Sequence, residues 1–332
     1  MFPGILRGIG AIGWLAFATA VRAAGEAPSG SMPPADGASI AWHAEARLRA
    51  DAFDNGQLER GNDYRQGLFR GVVGADLRLA PGLRVFGELG TGQVHGRRAE
   101  ATANFQNAAS LQQLFVEAGA QPGAISLGAR LGRQEFAEGP RQLVSPGDGP
   151  NLHRTWNGER LDARHERFRM VAFDLRATRL VRGSFDEEIR RAERLRGISA
   201  GFSLPAAGDS RLDIDPFWFR SGNPDFRSGG LAGSDERDTL GLRAGGRRGA
   251  LTFDWTLAHQ RGRFRDRRVE AWGLFAVQGY ALPAGAWKPR LTSHVDIASG
   301  GGASGEGTST GFNPLYSSSG YLGEGRFLGL GN

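Results

Sequence analysis

Arginine is the residue type in this sequence that is best suited to bind a charged partner. The 332 residues include 41 basic and 35 acidic side chains, and Lys288 is the single lysine among them. A guanidinium group keeps its charge at physiological pH and presents a planar fork of donors that fits a carboxylate or a phosphate. The composition therefore predicts an anionic partner.

The formal net charge of +6 raises nucleic acid as one such partner. Proteins that bind nucleic acid gather their basic residues in a patch or a stripe, whereas the arginines here are spread along the chain and interleaved with acids. We therefore exclude nucleic acid as the partner.

Residues that could support catalysis or hold a metal are few and scattered. The chain has no cysteine, which excludes a cysteine nucleophile, a thiolate zinc site and an iron–sulfur cluster. No histidine has a second ligand at the spacing of a metal site, and the H-E-x-x-H pair is absent. The histidines are His43, His95, His153, His165, His259 and His294. The sequence therefore predicts no catalytic residue, no metal and no cofactor.

The first 23 residues have the three parts of a secretory signal peptide. A short basic start ends at Arg7, an uncharged apolar stretch runs from Gly8 to Ala20, and Val21 and Ala23 suit the cleavage site. We predict Sec-dependent export and cleavage after Ala23. Residues 24–36 are small, polar and proline-rich, which predicts a flexible lead before one domain from 37 to 332.

Several stretches of the mature chain alternate between apolar and polar residues. From Ile40 to Ala52 every second side chain is apolar, and those between are His43, Glu45, Arg47, Arg49 and Asp51. A period of two over this length predicts an extended strand with one apolar and one charged face. The pattern recurs at 69–79, 83–89, 125–131, 171–176, 251–257 and 287–297.

The length of these strands distinguishes between classes of β protein. Many exceed the usual five or six residues and approach the roughly 9 to 11 that cross a bilayer at a tilt. In a transmembrane barrel the apolar face meets lipid and the charged face lines a wet lumen. We therefore predict an all-β, transmembrane antiparallel β-barrel in the bacterial outer membrane. The alternatives are a secreted β-sandwich and a β-helix.

Two kinds of connection are predicted between the strands. Ala80-Pro81-Gly82 and Gln121-Pro122-Gly123 have the residues of tight turns. Long loops, expected outside the barrel or folded into its pore, are predicted at 92–110, 136–158, 220–237 and 299–325. Aromatic residues near strand ends suit interfacial girdles, and these are Trp42, Phe86, Trp218, Phe219, Trp272, Tyr280 and Trp287.

Two segments resemble motifs of the alginate export family of outer-membrane barrels. The first, residues 127–161, reads LGARLGRQEFAEGPRQLVSPGDGPNLHRTWNGERL. It resembles a strand ending in G-R-Q-E, a glycine-containing basic loop and an R-x-F-D-G-x-R-like return, although Trp156-Asn157-Gly158 stands where the family usually has Phe-Asp-Gly. The second, residues 311–316 and 320–324, is similar to an F-N-P-L-F segment and the Y-F-G-E that follows it.

The resemblance implies a monomeric barrel of about eighteen strands, inserted into outer-membrane lipid by the barrel-assembly machinery, with an electropositive constriction that exports an anionic polysaccharide such as alginate. About fourteen of those strands are expected here, because in the family further strands follow the second motif. The constriction residues implied by the resemblance are Arg130, Arg133, Arg141, Asp148, Arg154 and Arg160.

Other functions stay open at this point. A substrate-specific or general porin would use the same arginines for a small anionic solute. A receptor barrel would use only its long loops, and an outer-membrane enzyme would need catalytic residues that the sequence does not supply. Each constriction arginine could instead form an ion pair with an acid on a neighbouring strand.

Overall fold

The computed structural model describes residues 37–55, 60–96, 101–138, 142–147, 149–205, 208, 210–228, 230–282, 287–300 and 307–318. Every regular element in these ranges is a β-strand, and no helix there is long and apolar enough to span a membrane. The predicted signal peptide, the lead at 24–36 and the motif residues 320–324 lie outside the described ranges.

Within the described ranges, fourteen strands make up one sheet. They are β1 (Ser39–Phe53), β2 (Tyr64–Ala80), β3 (Leu83–His95), β4 (Asn107–Ala120), β5 (Ser126–Glu135), β6 (Thr155–His165), β7 (Phe168–Arg179), β8 (Glu188–Leu204), β9 (Arg211–Ser228), β10 (Leu231–Arg248), β11 (Leu251–Phe264), β12 (Arg267–Ala281), β13 (Arg290–Ala298) and β14 (Thr308–Ser309). Strands β1 to β13 pair antiparallel in chain order, and β14 pairs parallel with β12.

The two faces of the sheet have different surroundings. In β8, for example, Leu195 and Ser199 are buried, whereas Ile198 and Phe202 are about two-fifths exposed. Buried residues of successive strands join in one apolar cluster on the inner face, which includes Trp156, Phe173 and Phe275. The outer face presents exposed leucine, valine, isoleucine and tryptophan side chains from β1 to β13. This outer face has the apolar character that contact with lipid requires.

Curvature of the sheet follows from contacts across the inner face. The segment 136–154, between β5 and β6, hydrogen-bonds to Arg47 of β1 and to Thr256 of β11. These two strands stand ten places apart in the sheet. One loop touches both only because the sheet wraps around it, which confirms the predicted antiparallel barrel architecture.

The predicted tight turns are confirmed by backbone geometry. Gly82 has φ +79° in the β2–β3 connection, and Gly123 has φ +62° between β4 and β5. Glycine occupies this left-handed region without the steric cost that a Cβ would bring. These turns belong to what we call the short-turn end of the sheet; the opposite end, with the 136–154 connection, is the long-loop end.

The long loop predicted at 220–237 is absent. Strand β9 extends to Ser228 and β10 begins at Leu231, so nearly all of these residues are paired. The glycine, proline and serine residues that suggested a loop lie in a ladder that is interrupted by a bulge between Gly233 and Asp235. A β-bulge accommodates extra residues that have no partner in regular pairing.

Two of the aromatic residues predicted for the girdles lie on the inner face instead. Phe219 is 2% exposed within the apolar cluster, and Phe86 stacks on His43 and Phe115. Because alternation places neighbours on opposite faces, Trp218 points outward where Phe219 points inward. The remaining girdle candidates are exposed: Trp42, Trp218, Trp272, Tyr280 and Trp287.

A charge on the outer face should destabilise the barrel. Leu257 is 55% exposed, and its partners across the ladder are Leu242 and Leu274. Leu257→Arg should lower the free energy of unfolding by about 2–4 kcal/mol, because arginine at mid-bilayer depth loses its hydration. The measurement is urea unfolding in lipid vesicles, with Leu257→Ile as the control. Equal stability of the two variants would place this face away from lipid.

Candidate functional site

The described residues of the connection between β5 and β6, namely 136–138, 142–147 and 149–154, lie across the inner face, and we call them the infolded loop. On the side of β7 to β11, Glu138 accepts hydrogen bonds from Arg169 Nη1 and Ser199 Oγ, each at 2.8 Å. Gln142 Nε2 donates to Thr256 Oγ1 at 2.8 Å. These contacts hold the first half of the loop against one wall.

The second half of the infolded loop is held by the opposite wall. Arg47 and Arg49 of β1 donate to the carbonyl oxygens of Pro150 and Gly149, each at 3.0 Å. Asn151 Nδ2 donates to the carbonyl of Gln93 in β3 at 2.9 Å. The loop therefore spans the inner space, and of the two locations predicted for it, outside or in the pore, it occupies the second.

His153 links the infolded loop to the wall through two charged groups. Its Nδ1 lies 2.7 Å from Glu135 Oε1, and its Nε2 lies 2.8 Å from Arg70 Nη1. A guanidinium can only donate, so Nε2 accepts and Nδ1 carries the proton that Glu135 receives. Arg70 also binds Glu45. His153 therefore extends an Arg–carboxylate pair into the lumen.

The second motif docks on the inner face of β10 and β11. The Asn313 backbone forms two hydrogen bonds with the Gln260 amide, at 2.7 and 2.9 Å, in the manner of a paired strand. Arg237 is 2% exposed and donates to the Gly311 carbonyl at 2.6 Å and to Asp235 at 2.8 Å. Sequence reasoning missed Gln260, Arg237 and Asp235, although the two-residue period of a strand places Asp235 and Arg237 on the inner face of β10.

The two motifs contact each other. The Ser145 amide donates to the Tyr316 carbonyl at 2.9 Å, and the Tyr316 amide donates to the Leu143 carbonyl at 2.8 Å. Arg154 Nη1 donates to the Tyr316 and Ser145 carbonyls at 2.9 and 3.0 Å. The Tyr316 ring meets Trp156 edge to face at a centroid distance of 4.6 Å. The motif residues thus form one packed unit inside the barrel.

Burial shapes the electrostatics of this unit. It lowers the pKa of the Arg154 guanidinium and raises the pKa of the Tyr316 hydroxyl, because both charged forms lose hydration there. Arg154 meets carbonyl oxygens through hydrogen bonds and the Tyr316 ring at 5.1 Å. It therefore serves the docking of the motifs more directly than contact with a solute.

Glycine is required where β5 and β6 pair in the first motif. Gly132 has φ +135° and Gly158 has φ +151°, and the two face each other in the ladder. A Cβ on Gly132 would lie 2.3 Å from the Leu114 carbonyl oxygen, and one on Gly158 would lie 2.1 Å from that of Asp174. The glycine that follows Trp156-Asn157 is thus fixed by backbone geometry.

Two of the predicted constriction residues lie together on the inner face. Arg130 of β5 and Arg160 of β6 are ladder partners. Arg130 Nε donates to Glu117 at 2.8 Å, and its guanidinium stacks 4.1 Å from the Phe115 ring centroid. Arg160 donates to Asp162 at 2.6 Å. The alternative interpretation, an ion pair with an acid on a neighbouring strand, describes Arg130, whereas the partner of Arg160 lies two residues along its own strand.

Arg133 lies on the outer face rather than in the lumen. Its ladder partner is Leu114, whose side chain is 49% exposed, and it binds Glu187 Oε1 and the Leu111 carbonyl at 2.8 and 2.9 Å. An odd offset of three residues from Arg130 reverses the face of a strand. Arg141 and Asp148 lie outside the described residues.

Three further arginines join Arg130 and Arg160 near the short-turn end of the inner face. Arg84 lies 5.5 Å from the Phe115 ring, on the other side of Glu117 from Arg130. On the far wall Arg243 binds Asp215 and Asp254 at 2.5 and 2.7 Å. We call Arg84, Arg130, Arg160, Arg169 and Arg243 the inner arginine belt; their side chains are 11–34% exposed.

One sequence pattern of an enzyme occurs but lacks its structural context. Residues 197–201 read G-I-S-A-G, the spacing of a hydrolase nucleophile elbow. That elbow sits on a sharp turn between a strand and a helix, whereas Ser199 lies inside β8 and donates to Glu138. Within the described residues, no group of three or more His, Asp or Glu side chains is arranged to hold a metal.

Comparison with known proteins gives one family and several distant structures. The family described as alginate export matches residues 39–332, whereas no curated protein matches the chain. The chain is similar to Pseudomonas putida OprB at high pH, with 12% identity, a TM-score of 0.45 and coverage of 74% of this chain and 75% of OprB. It is similar to Pseudomonas aeruginosa OpdO, with 13% identity, a TM-score of 0.45 and coverage of 83% of this chain and 84% of OpdO. It is also similar to the outer membrane protein OprD from Pseudomonas aeruginosa, with 13% identity, a TM-score of 0.37 and coverage of 78% of this chain and 72% of OprD.

Tyr316 should resist ionisation while the barrel is folded. Burial raises the pKa of Tyr316, so its hydroxyl should remain neutral at a pH about one unit above the ordinary tyrosine pKa of about 10. The tyrosinate absorbance of folded wild type and of Tyr316→Phe should then be equal at that pH, and should differ after unfolding. A smaller absorbance for the folded variant would mean that Tyr316 is open to solvent.

Proposed function

We propose that this chain, which belongs to the alginate export family, passes an anionic polysaccharide along its inner arginine belt. Membership of the family supports an outer-membrane channel. The apolar outer face suits the same location, because exposed leucine and tryptophan side chains are costly in water and favourable in lipid.

The observation that carries the proposal is the inner arginine belt below the infolded loop. Its members come from β3, β5, β6, β7 and β10, so guanidinium groups stand on both sides of the lumen. Arg169 and Arg243 are the most accessible, with side chains 34% and 25% exposed. A polymer with a carboxylate on each sugar would meet such a group on either wall.

Paired arginines suit transport better than isolated ones. Each belt arginine already has a carboxylate partner, such as Glu117 for Arg130 and Asp254 for Arg243. A uronate carboxylate entering the lumen exchanges with that partner, so the net gain at each station is small. Weak binding at several stations is the condition for conduction, because a strongly held polymer would not leave.

A second candidate is a porin for small anionic solutes, and the infolded loop favours it. The loop is hydrogen-bonded to β1 and β3 on one wall and to β11 on the other, which narrows the passage. In either function the belt selects for negative charge, and the two differ in whether a polymer threads past the loop.

Removing two belt arginines should weaken selectivity for anions. Arg130→Gln combined with Arg243→Gln takes one cation from each wall and leaves Glu117 and Asp254 in place. In planar bilayers the reversal potential should shift toward cations, and block by an oligomer of galacturonic acid should weaken about tenfold. The control is Arg227→Gln with Arg248→Gln, two exposed arginines away from the belt.

Unchanged selectivity and block in the belt variant would overturn the proposal. The length of the blocking oligomer separates the two functions, since a threading polymer is held longer as it grows. Residence times that do not increase with oligomer length would favour the small-solute porin.

A further inference from the structure

A band of charged residues crosses the outer face of β7 to β12 toward the long-loop end. Ladder partners on successive strands define two adjacent rows of this band, of which the upper row is the one nearer to the long-loop end. The lower row is Asp174, Arg196, Arg220, Asp238, Arg261 and Glu270, and the upper row is Arg176, Arg194, Gly222, Glu236, Arg263 and Arg268. We call these the outer charged rows. They hold seven arginines and four carboxylates, so the band is cationic.

The row directly below the band is apolar and aromatic. It consists of Ala172, Ile198, Trp218, Leu240, His259 and Trp272. Ile198, Leu240 and Trp272 are 41–64% exposed. Tryptophan at such a boundary is typical of the membrane–water interface. The outer charged rows therefore stand at headgroup depth, immediately above the part of the wall that faces acyl chains.

Most charges in the rows already have a partner. Among the described residues, two opposed arginine pairs lack a carboxylate that binds both members: Arg263 with Arg268 in the upper row, and Arg196 with Arg220 in the lower row, directly above the apolar residues. Asp174 binds both Arg176 and Arg194. Arg196 and Arg220 face each other directly across the β8–β9 ladder. Like charges opposite each other in a ladder are destabilising unless an anion neutralises them.

The surroundings of this arginine pair do not supply that anion in full. Arg220 lies 3.7 Å from both Glu236 and Asp238, at the outer limit of an ion pair, and its side chain is 43% exposed. Asp238 also accepts a hydrogen bond from Trp218 Nε1 at 3.1 Å. Within the described residues, no carboxylate pairs with Arg196. The two side chains thus start from facing positions on adjacent strands, and one further anion between them would balance their charge.

We propose that Arg196 and Arg220 bind the phosphate of an anionic lipid headgroup, with the acyl chains of that lipid lying over Ile198 and Trp218. Two arginines offer paired N–H donors to the phosphate oxygens. The apolar residues beneath specify a lipid rather than a free ion, because a dissolved anion would gain nothing from them. This site lies on the outside of the wall and does not depend on which solute the lumen passes.

The test measures lipid binding to the full chain refolded in a zwitterionic detergent. Wild type should bind phosphatidylglycerol in preference to phosphatidylcholine, counted by native mass spectrometry. Arg196→Gln with Arg220→Gln should weaken phosphatidylglycerol binding about tenfold. The control with the same loss of charge, Arg227→Gln with Arg248→Gln, should change it by less than about twofold.

Three results would overturn the proposal. The first is equal phosphatidylglycerol binding by wild type and the Arg196/Arg220 variant. The second is an equal loss in the control, which would indicate general charge attraction. The third is displacement of phosphatidylglycerol by an equal concentration of inorganic phosphate, which would indicate a free-anion site.

Heat-modifiable migration checks folding, and if the double variant does not fold, Arg196→Gln alone should still weaken binding about threefold. Bilayer currents are not used, so failure of the channel proposal would leave this result intact.

Discussion

The two-residue period of a strand is the constraint on which this molecule depends. Each strand of the wall must satisfy an apolar surrounding on one side and a filled, polar interior on the other. Strands such as β8 alternate between buried and exposed residues, and the same period places Arg130 in the lumen and Arg133 on the outside, because three residues separate them. The inner arginine belt and the outer charged rows are products of the same alternation on opposite faces.

The interior is filled by chain that has no ladder of its own. Its backbone groups still need partners, since an unpaired buried amide or carbonyl is costly. The infolded loop and the second motif supply them to each other at Leu143, Ser145 and Tyr316, and the wall supplies the rest through Gln260, Arg237 and Arg47. Side-chain amides and guanidinium groups thus supply the hydrogen-bond partners that a neighbouring strand would otherwise provide.

Strand positions could be predicted from the sequence because alternation is local. At 40–52 and 251–257 the apolar and polar residues identify both a strand and its faces, and β1 and β11 contain those ranges. The β9–β10 hairpin was missed because Ser221, Gly222 and Pro224 are typical of turns, whereas register with β10 keeps Ser221 and Gly222 paired and Pro224 lies at the bulge. The network of Asp235, Arg237 and Gln260 joins residues far apart in sequence, so no local pattern reveals it. Arg84 lies in the alternating stretch 83–89, but its role depends on Phe115 and Glu117 of the next strand.

The contact between Arg154 and Tyr316 joins positions 162 residues apart in the chain. Strands β6 to β14 lie between them in sequence, so closing this contact carries the entropic cost of a very long loop. Structures rich in such distant contacts fold slowly. This contact should therefore form late, because the strands between the two motifs must be synthesised before the infolded loop can meet Tyr316. Until this contact forms, the infolded loop lacks its hydrogen bonds with the backbone of Tyr316.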